Sequence, residues 1–415
     1  MNCWNDPINS RIIFEQLGIA DQVDEISLPA LGITACTASD KKVGGIPSVR
    51  HCAAWTGYGW NIVHREDLHK ILLSLIPKDT IQYNKKVVAA TEEESEVTVI
   101  CEDTSVYRGD ILIGADGVYS KVRESMFTIL EKQGVLSRKD IKPAAISNVA
   151  LLCLTELKED VSSTFMTESD LELKMFRGTP YSTLTFPVYS GKMTTAVFLN
   201  ATDWEPKDIQ AFKNSDRSKI IESFSETLLD NRTSCGLTLR EVIHLTKSER
   251  MTLVSIEEKL LKRWHTSRIV LIGDACHKFH PVLAAGGNQA FLDAVVLANC
   301  IHGMVDVTPE TIQIAFKSYH SSRYWNSMVI YISSSMVGKL FLCQTWLQTV
   351  IGVILLSIPI FILDIVFKRL FCKDLPQAAF LPLIPPTGTV KPYPQKYSTP
   401  LDYDKPVVCS IEGTS

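Results

Sequence analysis

The chain has no Cys-x-x-Cys pair, and its eleven cysteines are scattered and odd in number. That excludes a disulfide framework or a zinc ribbon and points to a reducing compartment. Neither sign of charge is in excess: Lys+Arg 42 against Asp+Glu 46 leaves a formal net charge of −4. Nothing electrostatic therefore recommends nucleic acid as a partner. There is no internal repeat. Met1 to Asp6 shows no basic stretch followed by an apolar core, so it does not read as a secretory signal. Asn200-Ala201-Thr202 and Asn231-Arg232-Thr233 match glycosylation sequons by pattern only. What remains is a chain of 415 residues, enough for one large or two medium domains around a sizeable core.

Helical spacing predicts a helix from Asn9 to Leu17, stopped by Gly18, and another from Arg65 to Leu75 carrying Leu68, Ile71, Leu72 and Leu75. Ile26 to Val63 reads as strands and turns. Ile81 to Val106 reads as hairpin material around the acidic turn Glu92 to Ser95. Leu151 to Leu199 alternates apolar and polar residues in short segments, which predicts an antiparallel sheet with one face covered. Lys207 to Leu229 and Ala290 to His302 read as helices. Leu340 to Leu363 carries no charged residue and Trp346 to Phe367 is nearly all apolar, long enough for a membrane span of about 20 residues. Lys368, Arg369 and Lys373 follow as interfacial anchors, and Pro376 to Pro400 reads as an extended, Pro-rich tail.

Two segments carry chemistry. An apolar strand, Arg268 to Ile272, runs into Gly273-Asp274-Ala275-Cys276-His277-Lys278-Phe279-His280-Pro281, then Ala284-Ala285-Gly286-Gly287-Asn288 and a helix-forming run. A buried strand ending in Gly-Asp sets a carboxylate at the carboxyl edge of a sheet, where open α/β folds bind ligands. Small residues at 284–287 let backbone approach a flat ligand, and the helix opening near Asn288 aims free N–H groups at it. The second segment, Asp110 to Arg123, repeats the scheme: strand, Asp116-Gly117 turn, helix with a basic first turn.

Together these segments resemble the Gly-Asp and Asp-Gly motifs of the FAD-dependent monooxygenases of the para-hydroxybenzoate hydroxylase type. The resemblance covers roughly Asn9 to Tyr324. It is nearest to the fungal branch that epoxidises or hydroxylates prenylated products, meroterpenoids and indole-diterpenes (the paxilline type). It implies an α/β fold: an FAD-binding Rossmann-like sheet of the glutathione-reductase type, an antiparallel substrate sheet, and a C-terminal membrane helix. The expected division is 1–135 FAD-binding, with 26–63 partly substrate-side; 136–260 substrate sheet and helix; 261–330 FAD-binding continued; 340–367 transmembrane; 374–415 tail. FAD is the implied cofactor and NAD(P)H the co-substrate. The implied activity is oxygenation of a lipophilic, prenylated secondary metabolite. A fold relative without oxygen insertion and a non-catalytic membrane-bound remnant stay open as alternatives.

The resemblance also assigns residues. Asp274 would accept hydrogen bonds from FAD hydroxyls, with Gly286, Gly287 and Asn288 against the flavin ring. Ala284 stands where the family usually has Gly, and Phe291-Leu292-Asp293 replaces the commoner Ile-Glu-Asp. Asp116 and Arg123 either lie near the FAD pyrophosphate and help dock NAD(P)H, or form a helix N-cap with a basic partner. Arg65, just ahead of Glu66 and Asp67, matches an arginine that reaches the diphosphate. Arg177 and Tyr181 either face the substrate and flavin as catalytic residues or sit on a solvated edge. His277 and His280 have a metal-compatible spacing, but no third ligand cluster accompanies them, and no metal is expected.

Family members open with a strand and Gly-x-Gly-x-x-Gly, and this sequence contains none; Gly57-Tyr58-Gly59 has no third glycine. The strand–helix–strand unit that holds adenosine is thus missing from the chain as written. That predicts weak FAD binding or none, from a truncated gene model or a degenerate copy. The apolar run predicts attachment to a membrane, the endoplasmic reticulum by expectation, with the flavin domain facing the cytosol.

Overall fold

The computed structural model describes residues 3–6, 8–37, 39–158, 171–175, 181–200, 222, 224–341, 350–352, 354 and 358–396. Its largest element is an eight-stranded mixed sheet. In spatial order the strands are His277–Lys278, Met251–Leu260, Ala145–Glu156, Lys192–Asn200, Tyr181–Val188, Leu171–Met175, Ile33–Thr37 and Lys42–Ile46. Pairing is antiparallel except where Leu171–Met175 runs alongside Ile33–Thr37.

Alternation along the central strands sorts side chains to two faces. Val149, Leu151, Cys153, Val197 and Leu199 join one core with Leu228 and Ile243 of helices Glu226–Leu229 and Leu239–Leu245. Ala150, Leu152, Ala196 and Phe198 form a second cluster on the other side. Both faces are covered, not one as the alternation suggested, because Thr and Ser on the strands are buried along with the apolar residues. A bulge between Ile146 and Asn148 resets the register against Met251–Leu260.

The helix predicted from Asn9 is Ile8–Gln16, and it ends where Gly18 takes φ +69. The hairpin material forms a three-stranded meander, Val87–Glu92, Val97–Cys101 and Val106–Gly109. Most of the helix expected over 207–229 lies outside the described residues; Glu226–Leu229 is helical. Ile269–Leu271 pairs in parallel with Leu112–Gly114, which joins the two motif segments at one sheet edge. No other described strand pairs with Leu112–Gly114, and Ile113 there is 41% exposed. Helices Ala285–His302 and Pro309–Phe341 pack on this pair, with Trp264, Phe316 and Tyr319 in the core between them.

The transmembrane helix expected over 340–367 requires correction. Among the described residues, no helix is long and apolar enough to cross a membrane. Pro359 caps a new helix, Ile360–Phe367, of only 8 residues. At about 1.5 Å per residue this reaches about 12 Å, against a hydrocarbon core of about 30 Å. The helix also carries Asp364, which accepts from Ser48 Oγ at 2.8 Å. Phe367 and Phe371 pack against Trp60, and Lys368 sits 4.4 Å over the Trp55 ring instead of anchoring at a lipid interface. Phe367 thus serves this protein's own core, while Ile360, Phe361, Ile362, Ile365 and Val366 stay exposed. Residues 342–349, 353 and 355–357 of the run lie outside the described part; among the described residues, the expected membrane partner and endoplasmic-reticulum attachment have no helix to rest on.

The Pro-rich tail is a strap as far as residue 396. Gln16 Nε2 donates to the carbonyls of Ala378 and Pro382, and Asn299 bonds Gln377 and Ala379. Thr389 and Val390 donate to Ala54 and Trp55 carbonyls. Gly388 passes so close that a Cβ there would meet Trp55 O at 2.1 Å. Residues from 397 lie outside the described part.

Candidate functional site

Ile269, Val270 and Leu271 are fully buried, and the chain leaves their strand through Gly273 at φ +59. A Cβ at Gly273 would stand 3.0 Å from Ala290 Cβ, so glycine is required both for the turn and for the helix packed on it. Asp274 follows, one-third exposed and ion-paired with Lys278. The Cβ position of Gly286 lies 4.0 Å from Asp274 Oδ1. The Gly-Asp carboxylate and the first turn of helix 285–302 are therefore brought together, as the motif spacing implied.

That helix begins at Ala285, earlier than the periodicity suggested, so Gly286, Gly287 and Asn288 all belong to its first turn or so. Its N-cap is Ala284, in the left-handed region at φ 51. Asn288 is fully buried, yet neither its Oδ1 nor its Nδ2 has a hydrogen-bond partner. Leaving a buried amide unpaired costs about 1–3 kcal/mol. The helix terminus, its spare N–H groups and this unsatisfied amide lie in the same first turns as Gly286, beside Asp274.

A buried ion network fixes the turn from behind. Asp293 Oδ2 accepts from Gly273 N at 2.9 Å and lies 2.5 Å from His277 Nε2. Arg323 Nε donates to Asp293 Oδ1 at 2.9 Å and Nη1 to Asp374 at 3.0 Å, while Nη2 reaches Gln289. Burial pushes the Asp293 carboxyl up, but His277 and Arg323 outweigh it and hold it below the usual carboxylate range. Cys276, His277 and Asp293 offer ligand atoms within 4.8 Å of one another, but the carboxylate's charge is already balanced by Arg323. Arg323 had no motif to announce it; the one signal was a lone arginine among the apolar positions of its helix.

Asp116 and Arg123 act inside the fold. Asp116 Oδ2 accepts from Lys121 N at 2.8 Å and Val122 N at 3.1 Å in the first turn of helix Lys121–Lys132, whose N-cap is Ser120. Arg123 donates to Val118 O at 2.6 Å and to Ala275 O at 3.0 Å, so it braces the Asp-Gly turn against the Gly-Asp turn. Asp116 thus holds the helix start from beyond its N-cap, and Arg123, bonded to carbonyls rather than to Asp116, ties the two motifs together. Arg65 opens helix Arg65–Ser74, exposed, with no polar partner among the described residues.

The sheet presents a small cavity of about 40 Å³ to this region, lined by Leu152, Leu184, Phe186, Ala196, Phe198 and Pro281, among others. Its lining is mostly apolar. Tyr181 is on the opposite face, in the core with Val149 and Leu228, its hydroxyl 2.8 Å from Ser225 Oγ. Arg177 lies outside the described residues. Pro281, the last residue of the Gly273–Pro281 segment, is the point where the Gly-Asp loop meets the eight-stranded sheet.

Comparison with known proteins places these features. Residues 223–323 match the family described as FAD binding domain. The FAD-dependent monooxygenase esdpE of Penicillium shearii is 26% identical over 67% of this chain and 58% of its own length. The FAD-dependent monooxygenase spyC of Aspergillus fumigatus is 30% identical over 60% of this chain and 50% of its own. The chain spans about half the length of these curated relatives. Among solved structures, Klebsiella pneumoniae HpxO complexed with FAD and uric acid superposes with TM-score 0.69 at 18% identity, covering 90% of this chain and 88% of that one. A salicylate hydroxylase substrate complex gives 0.65 at 18% identity over 90% and 88%. The fold is that of the FAD-dependent monooxygenases, an α/β arrangement with mixed sheets, and fungal homologues are named for that activity.

Proposed function

We propose that this chain acts as an FAD-dependent monooxygenase on a lipophilic small molecule. NAD(P)H gives a hydride, one atom of molecular oxygen enters the substrate by epoxidation or hydroxylation, and the other leaves as water. A prenylated secondary metabolite, as in the paxilline-type branch, is the substrate class this reading favours. The apolar wall behind Pro281 suits apolar substrate groups, though the cavity there, about 40 Å³, is far smaller than the roughly 300 Å³ of a ligand pocket. The fungal relatives named FAD-dependent monooxygenases support the reaction type.

One observation carries the cofactor assignment: Asn288, buried with both amide atoms unpaired, in the opening turns of a helix beside Asp274. A flavin brings polar ring-edge atoms and a ribityl chain, which fit an amide, a carboxylate and free helix N–H groups together. Asn288 and the N–H groups of Gly286 and Gly287 would hold the ring edge, and Asp274 would take the ribityl hydroxyls. Arg65 is an exposed guanidinium suited to phosphate. No Gly-x-Gly-x-x-Gly occurs in the sequence for the pyrophosphate turn. When bound, the flavin supplies the redox chemistry with oxygen. The protein's own part is to orient substrate against that ring and to exclude water from the apolar side.

Purified chain titrated with FAD should quench flavin fluorescence and shift its visible spectrum, with the weak affinity that a chain lacking the Gly-x-Gly-x-x-Gly turn implies. NAD(P)H and isotopically heavy oxygen should then put label into a prenylated acceptor. Unaltered flavin spectra at saturating protein would overturn the cofactor assignment. Flavin binding with product free of label would leave an oxidoreductase without oxygen insertion.

A further inference from the structure

His280 is buried to 3% exposure at the junction of three elements. Its Nδ1 accepts the amide of Val282 at 3.3 Å, which leaves the ring proton on Nε2. Nε2 lies 3.2 Å from Asn148 Oδ1 on the central strand of the sheet. Asn148 is itself oriented, because its Nδ2 donates to Leu199 O at 3.3 Å and so turns Oδ1 toward the imidazole. The ring stacks on Phe198, which lines the cavity, at 6.4 Å and 27°. On its remaining side lies helix 309–341: a Cβ at Gly338 would come within 2.6 Å of Cδ2 and Nε2. The imidazole thus touches its own turn, two paired strands of the sheet and helix 309–341.

Beyond His280 the chain makes the turn Pro281–Leu283, passes through left-handed Ala284 and enters helix 285–302. That turn supplies Pro281 to the cavity and sets where Gly286 and Asn288 stand. We propose that His280 is a positioning residue that locks this turn onto the substrate-side sheet, fixing together the cavity wall and the start of the cofactor-facing helix. The lock is a property of the chain alone. Its consequence for substrate alignment rests on the monooxygenase reading above.

The arrangement requires a neutral ring, since a protonated Nδ1 cannot accept from Val282. Burial pushes His280 down to about 4, against the opposing pull of buried Glu258 on the neighbouring strand. Asn148, Phe198 and Gly338, the other groups against it, carry no charge. Below that range the lock opens.

Amide hydrogen exchange on the chain without flavin tests this. An Asn in place of His280 sets its amide oxygen near the Nδ1 position, and a Gln sets its amide nitrogen near Nε2. H280Q should speed exchange at Val282 to Ala285 by about tenfold, as loss of one hydrogen bond implies. H280N should keep Val282 slow but free Asn148 and Leu199. Exchange at Ile269 to Leu271 should not change in either. In the parent chain, exchange at Val282, corrected for its intrinsic pH dependence, should accelerate below about pH 5, and in H280N it should not. G338A, which presses on the ring, should resemble H280Q without altering any polar group. Equal Val282 exchange in the parent, H280Q and H280N overturns the proposal. Acceleration spread evenly over the whole chain overturns it too, since that marks general destabilisation. Flavin titration of the same samples is a separate readout. If the exchange pattern holds and no flavin binds, the lock stands and the cofactor assignment falls.

Discussion

Arg323 Nε and Asp293 Oδ1 meet at 2.9 Å with both side chains essentially inaccessible to water. The pair matters through what the carboxylate's other oxygen does: it holds the amide of Gly273, the residue that turns the chain into Asp274. A buried ion pair adds little net stability over an apolar substitute, but breaking one strands a charge. Replacing Arg323 with Met is therefore expected to cost about 3–5 kcal/mol in urea denaturation. Arg323→Lys should recover part of that and not all, because a lysine cannot reach Asp293, Asp374 and Gln289 at once. A loss below about 1 kcal/mol for Arg323→Met would show that the network does not hold the turn.

Ala284 sits at φ 51, a conformation that costs an L-residue about 1–2 kcal/mol. Glycine relieves that strain but adds about 0.4–1 kcal/mol of unfolded-state entropy. Ala284→Gly should thus stabilise the chain slightly, by up to about 1 kcal/mol, read as a raised denaturation midpoint with an unchanged slope. A lowered midpoint would mean that the methyl packs better than the strain costs.

Much of this site was legible in the sequence, and the reasons are local. Gly273, Asp274 and Gly286 were found because a strand-to-helix turn needs those residue types in that order, whatever surrounds them. The helix from Asn9 and the strands of the substrate sheet followed from periodicity, which is again local. Arg323 and His280 escaped because their roles come from residues far away in the chain: Asp293 and Asp374 for one, Asn148 and Gly338 for the other. Tyr181 was expected either to face the substrate and flavin or to sit on a solvated edge, and it lies in the opposite core instead, because strand alternation assigns a face only once one neighbour's face is known. The apolar run after Leu340 misled for a related reason. Hydropathy reports how little a segment gains from water, not whether lipid or Trp60 takes its place; Phe367 chose the latter, while Phe361 and Ile365 on the same helix stay exposed.

Acid should unfold the protein earlier than its carboxylates alone require. Burial pushes His280 and His320 down to about 4 from their ordinary 6.5, and lowers His265 as well. A histidine held neutral in the fold but protonated when unfolded contributes stability that is complete above pH 6.5. That contribution is lost as pH falls from 6.5 to 4. The shifts of His280 and His320 are each worth up to about 3 kcal/mol. Denaturation free energies at pH 7 and pH 5 should differ by about 2 kcal/mol or more. His320→Phe keeps the ring against Trp264 and Tyr324, and it should flatten that difference. An unchanged pH slope in His320→Phe would show that this ring does not carry the dependence.

Asn288 offers the sharpest separation between fold and function. An amide that is buried and unpaired lowers the stability of the chain that carries it, so an apolar residue of the same size should do better there. Asn288→Leu is expected to raise stability by about 1 kcal/mol in the absence of any ligand. If the amide waits for the polar edge of a flavin, the same change should weaken FAD binding by about tenfold or more, since both bonding partners at that edge are lost. Ordinary core packing predicts the opposite pair of outcomes. A residue kept for the fold alone would destabilise on replacement and leave flavin affinity untouched. Stability and affinity moving in opposite directions is the signature of a polar group retained for its ligand, and the two titrations can be run on the same purified sample.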